Sequence, residues 1–364
     1  MRFGPVPVGQ AEGAVLAHSL HEGALRMKKG RTLTAADLAA LAAAGVAEVT
    51  VARLEPGDLP EDAAATAVAR ALAPDAAALG LSVSAPFTGR VNLFAETAGI
   101  VRVNEAAVAA LNAIDPAITL ATLADLVRVR ARQMVATVKI IPYAVPRAAV
   151  ERAVDCLSAG EVLRVAGFRP GRATLILTRT PGMKPSLLAK GAAAVETRLA
   201  ALGQELASPV TVPHEPLAVA EAVRAATGDM VLILGASATS DAADVCPAGL
   251  VAAGGRLLRF GMPVDPGNLL FIGEHAGRPV VGLPGCSRAP TINGADWVLE
   301  RLAAGVATGP AEIAAMGAGG LLKEISARPQ PRDGRPHSKD RARVAAIVLA
   351  AGAARRMRGA DKLL

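Results

Sequence analysis

Aromatic residues are scarce: of 364 residues one is Trp, one Tyr and six Phe, together 2% of the chain. So few flat faces leave no stacking platform for bases, which argues against single-stranded nucleic acid as a partner. Cysteine is scarce as well. Cys156, Cys246 and Cys286 stand far apart in sequence, giving neither a disulfide framework nor metal-ligand spacing. No apolar run reaches the roughly 18 residues a membrane span requires, and the first ten residues, MRFGPVPVGQ, lack the apolar core of a signal peptide. A cytoplasmic chain with reduced thiols and no membrane partner is the expectation.

The basic balance is also missing from most of the chain. The formal net charge is +7, but from Arg328 to Leu364 ten Lys or Arg face three Asp, so that stretch carries the whole excess and the first 327 residues are neutral overall. A basic face for DNA or RNA is therefore not expected. What is abundant is Ala, Val and Leu. With 52% hydrophobic residues, the chain has material for two or three cored domains.

Residues 1–60 read as a small α+β region. In KKGRTLTAADLAALAAAGVAEVTVARL (Lys28 to Leu54), Thr34 suits a helix start, Asp37 sits where a capping box needs an acid, Gly45 suits the end, and the following run reads as a strand. Residues 61–167 read as a small β-rich domain. A helix over Asp62–Ala73 precedes short β-like runs (PFTGRVNLF, GIVRV, AITLATL, QMVATVKIIPYAV), with one helix near Glu105–Ala113 and another from Arg147.

From Phe168 the pattern changes. Strand-like ATLILTRTPG (Ala173 to Gly182), an Ala-rich helix (Pro185 to Leu202), a VTV strand, a helix over Pro216–Ala226 and MVLIL (Met230 to Leu234) alternate at βαβ spacing, which predicts a mostly parallel sheet with right-handed crossovers. Thr178 and Thr180 close the first of these strands. Met230–Leu234 is short and uniformly apolar, hence a strand buried on both faces. It stops at Gly235. Ala236, Ser237, Ala238, Thr239 and Ser240 follow, small enough for a ligand to reach the backbone. Asp241 and Asp244 come next, with a helix expected from Val245, Asp244 as its N-cap and Pro247 in its first turn.

A loop between a buried strand's carboxyl end and a helix N-terminus favours anions, so a phosphate is the expected guest. The two carboxylates would repel it unless Mg²⁺ is shared between carboxylate and phosphate, or unless they accept N–H groups from a heterocycle. A pterin phosphate offers both features. Downstream, MPVDPGNLLFIGEHAGRPVVGLPG (Met262 to Gly285) places turn-rich segments around FIG and VVGL; Gly267 and Asn268 are candidates for positive φ, and Gly285 for close approach of backbone to ligand. A helix is expected from Trp297 to Ala304.

The strand, small-residue loop and DVCP of Asp244 to Pro247, together with MPVDPGN (Met262 to Asn268) and GLPGCS (Gly282 to Ser287), resemble the molybdopterin-binding domain of molybdopterin adenylyltransferases and molybdotransferases. The likeness covers about residues 168–304. It implies a three-layer α/β domain, here placed at 168–327. It also implies molybdopterin held by Gly235, Ser237, Thr239, Ser240, Pro284, Gly285, Cys286 and Ser287, with Asp241 and Asp244 as catalytic carboxylates and Asp244 as the Mg²⁺ ligand. Relatives of this type form dimers or trimers. Where the family carries an aspartate after a proline, this chain has His214 and Glu215, which favours binding over catalysis.

Residues 328–341 (Arg328 to Arg341) are rich in Pro and Arg and read as a linker. Beyond it, VAAIVLAAGAARRMRGADKLL (Val344 to Leu364) resembles the opening signature of MobA-like molybdenum cofactor nucleotidyltransferases, placed at 342–364. That resemblance implies a nucleotide held by Ala351, Gly352, Arg356 and Lys362 and, in an intact protein, transfer from CTP or GTP to molybdopterin; one strand and its loop are too little for that activity alone, so the sequence reads as part of a longer fusion. Two alternatives stand beside this reading: a non-catalytic molybdopterin-binding or oligomerisation module, and a nucleotidyltransferase for another phosphorylated metabolite.

Overall fold

In the computed structural model, which describes residues 1–322, Met1–Leu322 forms one compact α/β unit with several sheets. The linker and the segment holding Ala351, Gly352, Arg356 and Lys362 lie outside the described residues. No helix among the described residues is long and apolar enough to cross a membrane.

The amino-terminal region builds its core from Leu16, Leu33, Leu41, Val49 and Val51. Its helix, Ala35–Ala43, starts in a capping box: Asp37 N–H donates to Thr34 Oγ1 at 3.3 Å and Thr34 N–H to Asp37 Oδ2 at 3.0 Å. Arg31 adds a two-pronged contact to the same carboxylate, 3.0 and 2.7 Å. Gly45, with φ of +76°, turns the chain out of the helix as only glycine does without strain. The β-rich region follows. Strands Leu81–Val83, Arg90–Ala95, Ile118–Thr122 and Met134–Ile140 form one antiparallel sheet, and Gly99–Val103 pairs with Arg128–Val129 and Leu163–Gly167 in another. Helices Glu61–Leu72 and Arg147–Ser158 contribute Val68, Leu72, Val150 and Leu157 to their common core.

The third region carries the site. Its elements are β1 (Gly171–Arg179), α1 (Pro185–Ala200), β2 (Gln204–Leu206), β3 (Val210–Pro213), α2 (Pro216–Ala225), β4 (Met230–Leu234), α3 (Val245–Ala252), β5 (Arg256–Phe260), β6 (Phe271–His275), β7 (Arg278–Leu283) and α4 (Gly294–Ala303). The sheet order is β2-β1-β4-β7-β6-β5, with β3 pairing the far end of β1 beyond β2. Alternation along β4 explains why both faces are covered. Met230, Leu232 and Leu234 meet Val195 and Leu199 of α1 and Val298 and Leu299 of α4. Val231 and Ile233 meet Val219 and Val223 of α2 and Leu250 of α3.

The parallel part ends at β7. β6 pairs antiparallel with β7 and β5 antiparallel with β6, so the sheet is mixed, with a meander on one edge. RLLRF in β5 is exposed or half-buried throughout and has a register shift between Leu257 and Arg259, so its pattern is neither a buried run nor a clean alternation. β6 and β7 are held tightly at one place. Gly282 lies opposite Phe271, and a Cβ there would sit 1.9 Å from the Phe271 ring, which leaves room only for glycine.

Two local expectations are corrected. Gly267 has φ of +142°, but Asn268 is not in the left-handed region; its carbonyl accepts the Met262 N–H at 3.0 Å and its side-chain Nδ2 donates to Met262 O at 3.4 Å instead. Helix α4 begins at Gly294, before Trp297, because Asn293 and Asp296 form a capping box: Asn293 N–H donates to Asp296 Oδ2 at 2.7 Å.

One guanidinium anchors the segment between β7 and α4. Arg198 of α1 bonds Asp296 at 2.8 Å, Ser287 O at 2.9 Å, Ala289 O at 2.6 Å and Thr291 O at 2.9 Å. The Arg198 and Asp296 side chains are only 8% and 16% exposed. Replacement by Arg198→Met leaves these acceptors short of a donor and should cost on the order of 3 kcal/mol in denaturant unfolding; Arg198→Lys should recover little, since a point charge cannot span the fork. An unchanged midpoint for Arg198→Met would show that the segment holds itself.

A second stability prediction concerns Asp37. The Arg31 guanidinium, with the Thr34 N–H, holds its carboxyl below the usual value. The stabilisation is thus complete above the ordinary carboxylate pKa and disappears as pH falls through the lowered one. Asp37→Ala should lose about 1 kcal/mol at pH 7, with the gap to the unmodified chain narrowing as pH falls below the ordinary carboxylate range; a gap independent of pH would contradict this.

Candidate functional site

The two small-residue clusters lie side by side. β4 and β7 are parallel neighbours with Leu234 opposite Leu283, so Gly235 and Pro284 leave the sheet at the same edge. Phe260 pairs with Phe271 and Phe271 with Gly282, which brings the turn after β5 to that edge too. There the MPVDPGN segment packs against the start of α4, Gly294 N–H donating to Pro266 O at 2.8 Å. A Cβ on Gly267 would lie 2.7 Å from Gly294 N, and one on Gly294 would lie 2.5 Å from Met262 Sδ. This motif supports the rim rather than lining it.

In the first cluster Gly235 is buried, Thr239 half-buried, and Ser237 and Ser240 exposed. A Cβ at Gly235 would approach Cys246 Sγ to 2.9 Å, so glycine lets the loop cross the start of α3. The carboxylates bond backbone of their own loop, Asp241 being exposed and Asp244 half-buried. Asp244 accepts Val245 N–H at 2.8 Å and Ser240 N–H at 3.1 Å, capping α3; Asp241 accepts Ala243 N–H at 2.7 Å. Among the described residues no group of three or more His, Cys, Asp or Glu is placed to hold a metal ion.

In the second cluster Pro284 and Ser287 are buried, Gly285 exposed and Cys286 half-buried. Ser287 Oγ turns inward to Asn293 Oδ1 at 3.4 Å. Burial pushes the Cys286 thiol up, and pushes Cys246 up to about 12 with the Asp244 charge adding to the effect, so both are thiols at neutral pH.

Two residues outside the clusters join them. Arg288 reaches back to donate to the Gly235 carbonyl, so a guanidinium spans the gap between the loops. Burial lowers its pKa from the usual value, yet a guanidinium stays charged at neutral pH. His214, at the end of β3, lies against the first loop: its Nδ1 is 2.8 Å from Thr178 Oγ1 and its Nε2 2.8 Å from Ser237 Oγ. Thr178 is fully buried and accepts the Ala236 N–H at 2.7 Å. The Thr178 oxygen keeps a second lone pair as well as its proton, so it meets His214 Nδ1 in either tautomer: with the ring proton on Nε2, His214 donates to Ser237 and leaves the Ser237 proton to a ligand; with it on Nδ1, Nε2 accepts from Ser237.

A cleft of about 350 Å³ opens beside His214, lined by Arg179, Thr180, Gly182, Met183, Pro213 and Glu215. The rim therefore offers hydroxyl, imidazole and guanidinium donors from four segments, with its two loop carboxylates engaged in backbone contacts. Thr178 was legible as a strand-end residue. The coupling of Thr178, His214 and Ser237 spans 58 positions from Thr178 to Ala236 and has no local sequence signal; the departure at His214 was the one clue.

Comparison with known proteins adds three findings. Residues 5–53 match a family described as a domain of unknown function, DUF8806. No curated protein matches the chain. Among solved structures, the chain is similar to a molybdopterin biosynthesis moea protein from Pyrococcus horikosii, with 13% identity, 78% of this chain and 70% of that chain covered, and a TM-score of 0.25. It is also similar to a molybdenum cofactor biosynthesis protein from Pyrococcus furiosus, with 14% identity, 79% of this chain and 59% of that chain covered, and a TM-score of 0.18.

Proposed function

We propose that the third region is a binding module for molybdopterin, a phosphorylated pterin, in molybdenum cofactor biosynthesis. The supporting observation is the register of β4 and β7, which sets the loops after Gly235 and Pro284 at one edge. The sequence likeness of those loops to molybdopterin-binding domains supplies the ligand class. In this reading Ser237 O–H and the exposed backbone of Gly285 receive phosphate oxygens, His214 positions Ser237 from behind, and Arg288 supplies positive charge beside them.

A binding role accounts for the chemistry better than a transfer role does. Asp241 and Asp244 are engaged by backbone N–H groups, and His214 is backed by the Thr178 hydroxyl rather than by the carboxylate that orients a catalytic base. The donor set among the described residues does not fit a protein-held Mg²⁺, which needs several oxygen ligands in near-octahedral array; Mg²⁺ would enter with the ligand's phosphates. Transfer of a nucleotidyl group from CTP or GTP belongs, in this proposal, to the segment carrying Ala351, Gly352, Arg356 and Lys362.

Calorimetry of the full chain with molybdopterin should show saturable binding, and Ser237→Ala, which removes a donor to the phosphate, should weaken it about tenfold, the effect of one hydrogen bond to a charged group. Absence of binding by a folded chain would refute the proposal. Asp244→Ala separates the two roles of that residue. As an N-cap its loss should lower stability by about 1 kcal/mol and leave affinity within about threefold, a shift below 1 kcal/mol; abolished binding with stability unchanged would make Asp244 a ligand contact.

A further inference from the structure

A larger cavity, about 540 Å³, lies away from the clusters, between the β-rich region and the end of the α/β region. Ile100 and residues 125–128 form one wall; α4, Ile292 and residues 315–318 form the other. Its lining carries two carboxylates, Asp125 and Glu300, and two guanidiniums, Arg128 and Arg301. The Asp125 carboxylate accepts Arg102 Nε at 3.2 Å and Val103 N–H at 2.9 Å. The Glu300 carboxylate accepts Arg128 Nη1 at 3.3 Å, while Arg128 also donates to Ala201 O at 2.6 Å and stands 5.6 Å from the centre of the Phe168 ring.

That leaves Arg301. It is only 8% exposed, lines the cavity, and has no hydrogen-bond or ion-pair partner among the described residues. Asp125, Glu312 and Glu300 act on Arg301 through space, but none of them bonds it: Asp125 and Glu300 are paired with Arg102 and Arg128, and Glu312 accepts the Gly309 N–H at 2.9 Å. The Arg301 nitrogens are open to the cavity rather than sealed from solvent, so their planar fork is free to bond carboxylate or phosphate oxygens. The remaining walls are apolar. Trp297, Ile100 and Met316 offer a surface on which a flat ring packs, and the volume is within the range of small-molecule sites.

We propose that this cavity is a second ligand site, taking a small molecule with a flat apolar body and one oxyanion, carboxylate or phosphate, that pairs with Arg301. The anion is bound because Asp125 and Glu300 are held by Arg102 and Arg128, while Arg301, facing the same cavity, has no oxygen within bonding distance among the described residues. The site does not share residues with the rim, so it stands or falls independently of molybdopterin binding.

Trp297 is the only tryptophan in the chain, so intrinsic fluorescence reads the cavity directly. The full chain is titrated with benzoate and with phenyl phosphate, and, at matched ionic strength, with chloride and benzylamine. A saturable change with benzoate, phenyl phosphate or both is expected, the stronger of the two identifying the oxyanion, with no saturation by chloride or benzylamine. Arg301→Gln should weaken binding at least tenfold and His214→Phe should leave it unchanged. If Arg301→Gln does not fold, Arg301→Lys, which keeps the charge and loses the fork, should show the weakening instead. The proposal is overturned if neither oxyanion saturates, if benzylamine binds as well as benzoate, or if a folded Arg301 variant binds as tightly as the unmodified chain.

Discussion

The parallel pairing of β4 with β7, in the register that sets Leu234 beside Leu283, is the constraint on which the site depends. Side chains on a strand alternate, so a shift of one residue would exchange the two faces of β4 and put Leu232 and Leu234 against the wrong helices. Burial on both faces makes such a slip expensive, and the rim loops inherit that precision. Loops of small residues cannot position themselves; here they are placed by the large aliphatic residues that precede them.

The same rim shows how polar groups are fixed around a ligand-sized opening. Each loop is held by contacts from a distant element: the second by Arg198 on α1, the first by Thr178 on β1 and by Arg288 from its neighbour. Carboxylates that look catalytic in a linear reading are used locally, as a helix cap at Asp244 and a turn acceptor at Asp241. What remains directed outward is a set of donors, which suits an anion. Donor groups fixed before the ligand arrives reduce the ordering cost of binding.

Much of the third region was legible because its signals are local. MVLIL is a strand over Met230–Leu234, and Asp244 caps a helix that starts at Val245. The Thr34 and Asp37 capping box was equally readable. The antiparallel edge was not, since β5 has no clear period and strand direction is decided by pairing. The start of α4 had a signal, Asn293 followed three residues later by Asp296, that the apolar pattern around Trp297 obscured. Arg198, Arg288 and Arg301 read in sequence as ordinary surface charges; their roles arise only from burial and from which carbonyls or carboxylates are near, and no spacing rule reports that.

Amide chemical shifts of the full chain, recorded with and without molybdopterin, test the central claim most directly. The account predicts perturbations concentrated at residues 235–240, at 285–288 and at His214, where two loops and one imidazole surround the phosphate. Perturbations confined to another surface, with these residues unmoved, would contradict it.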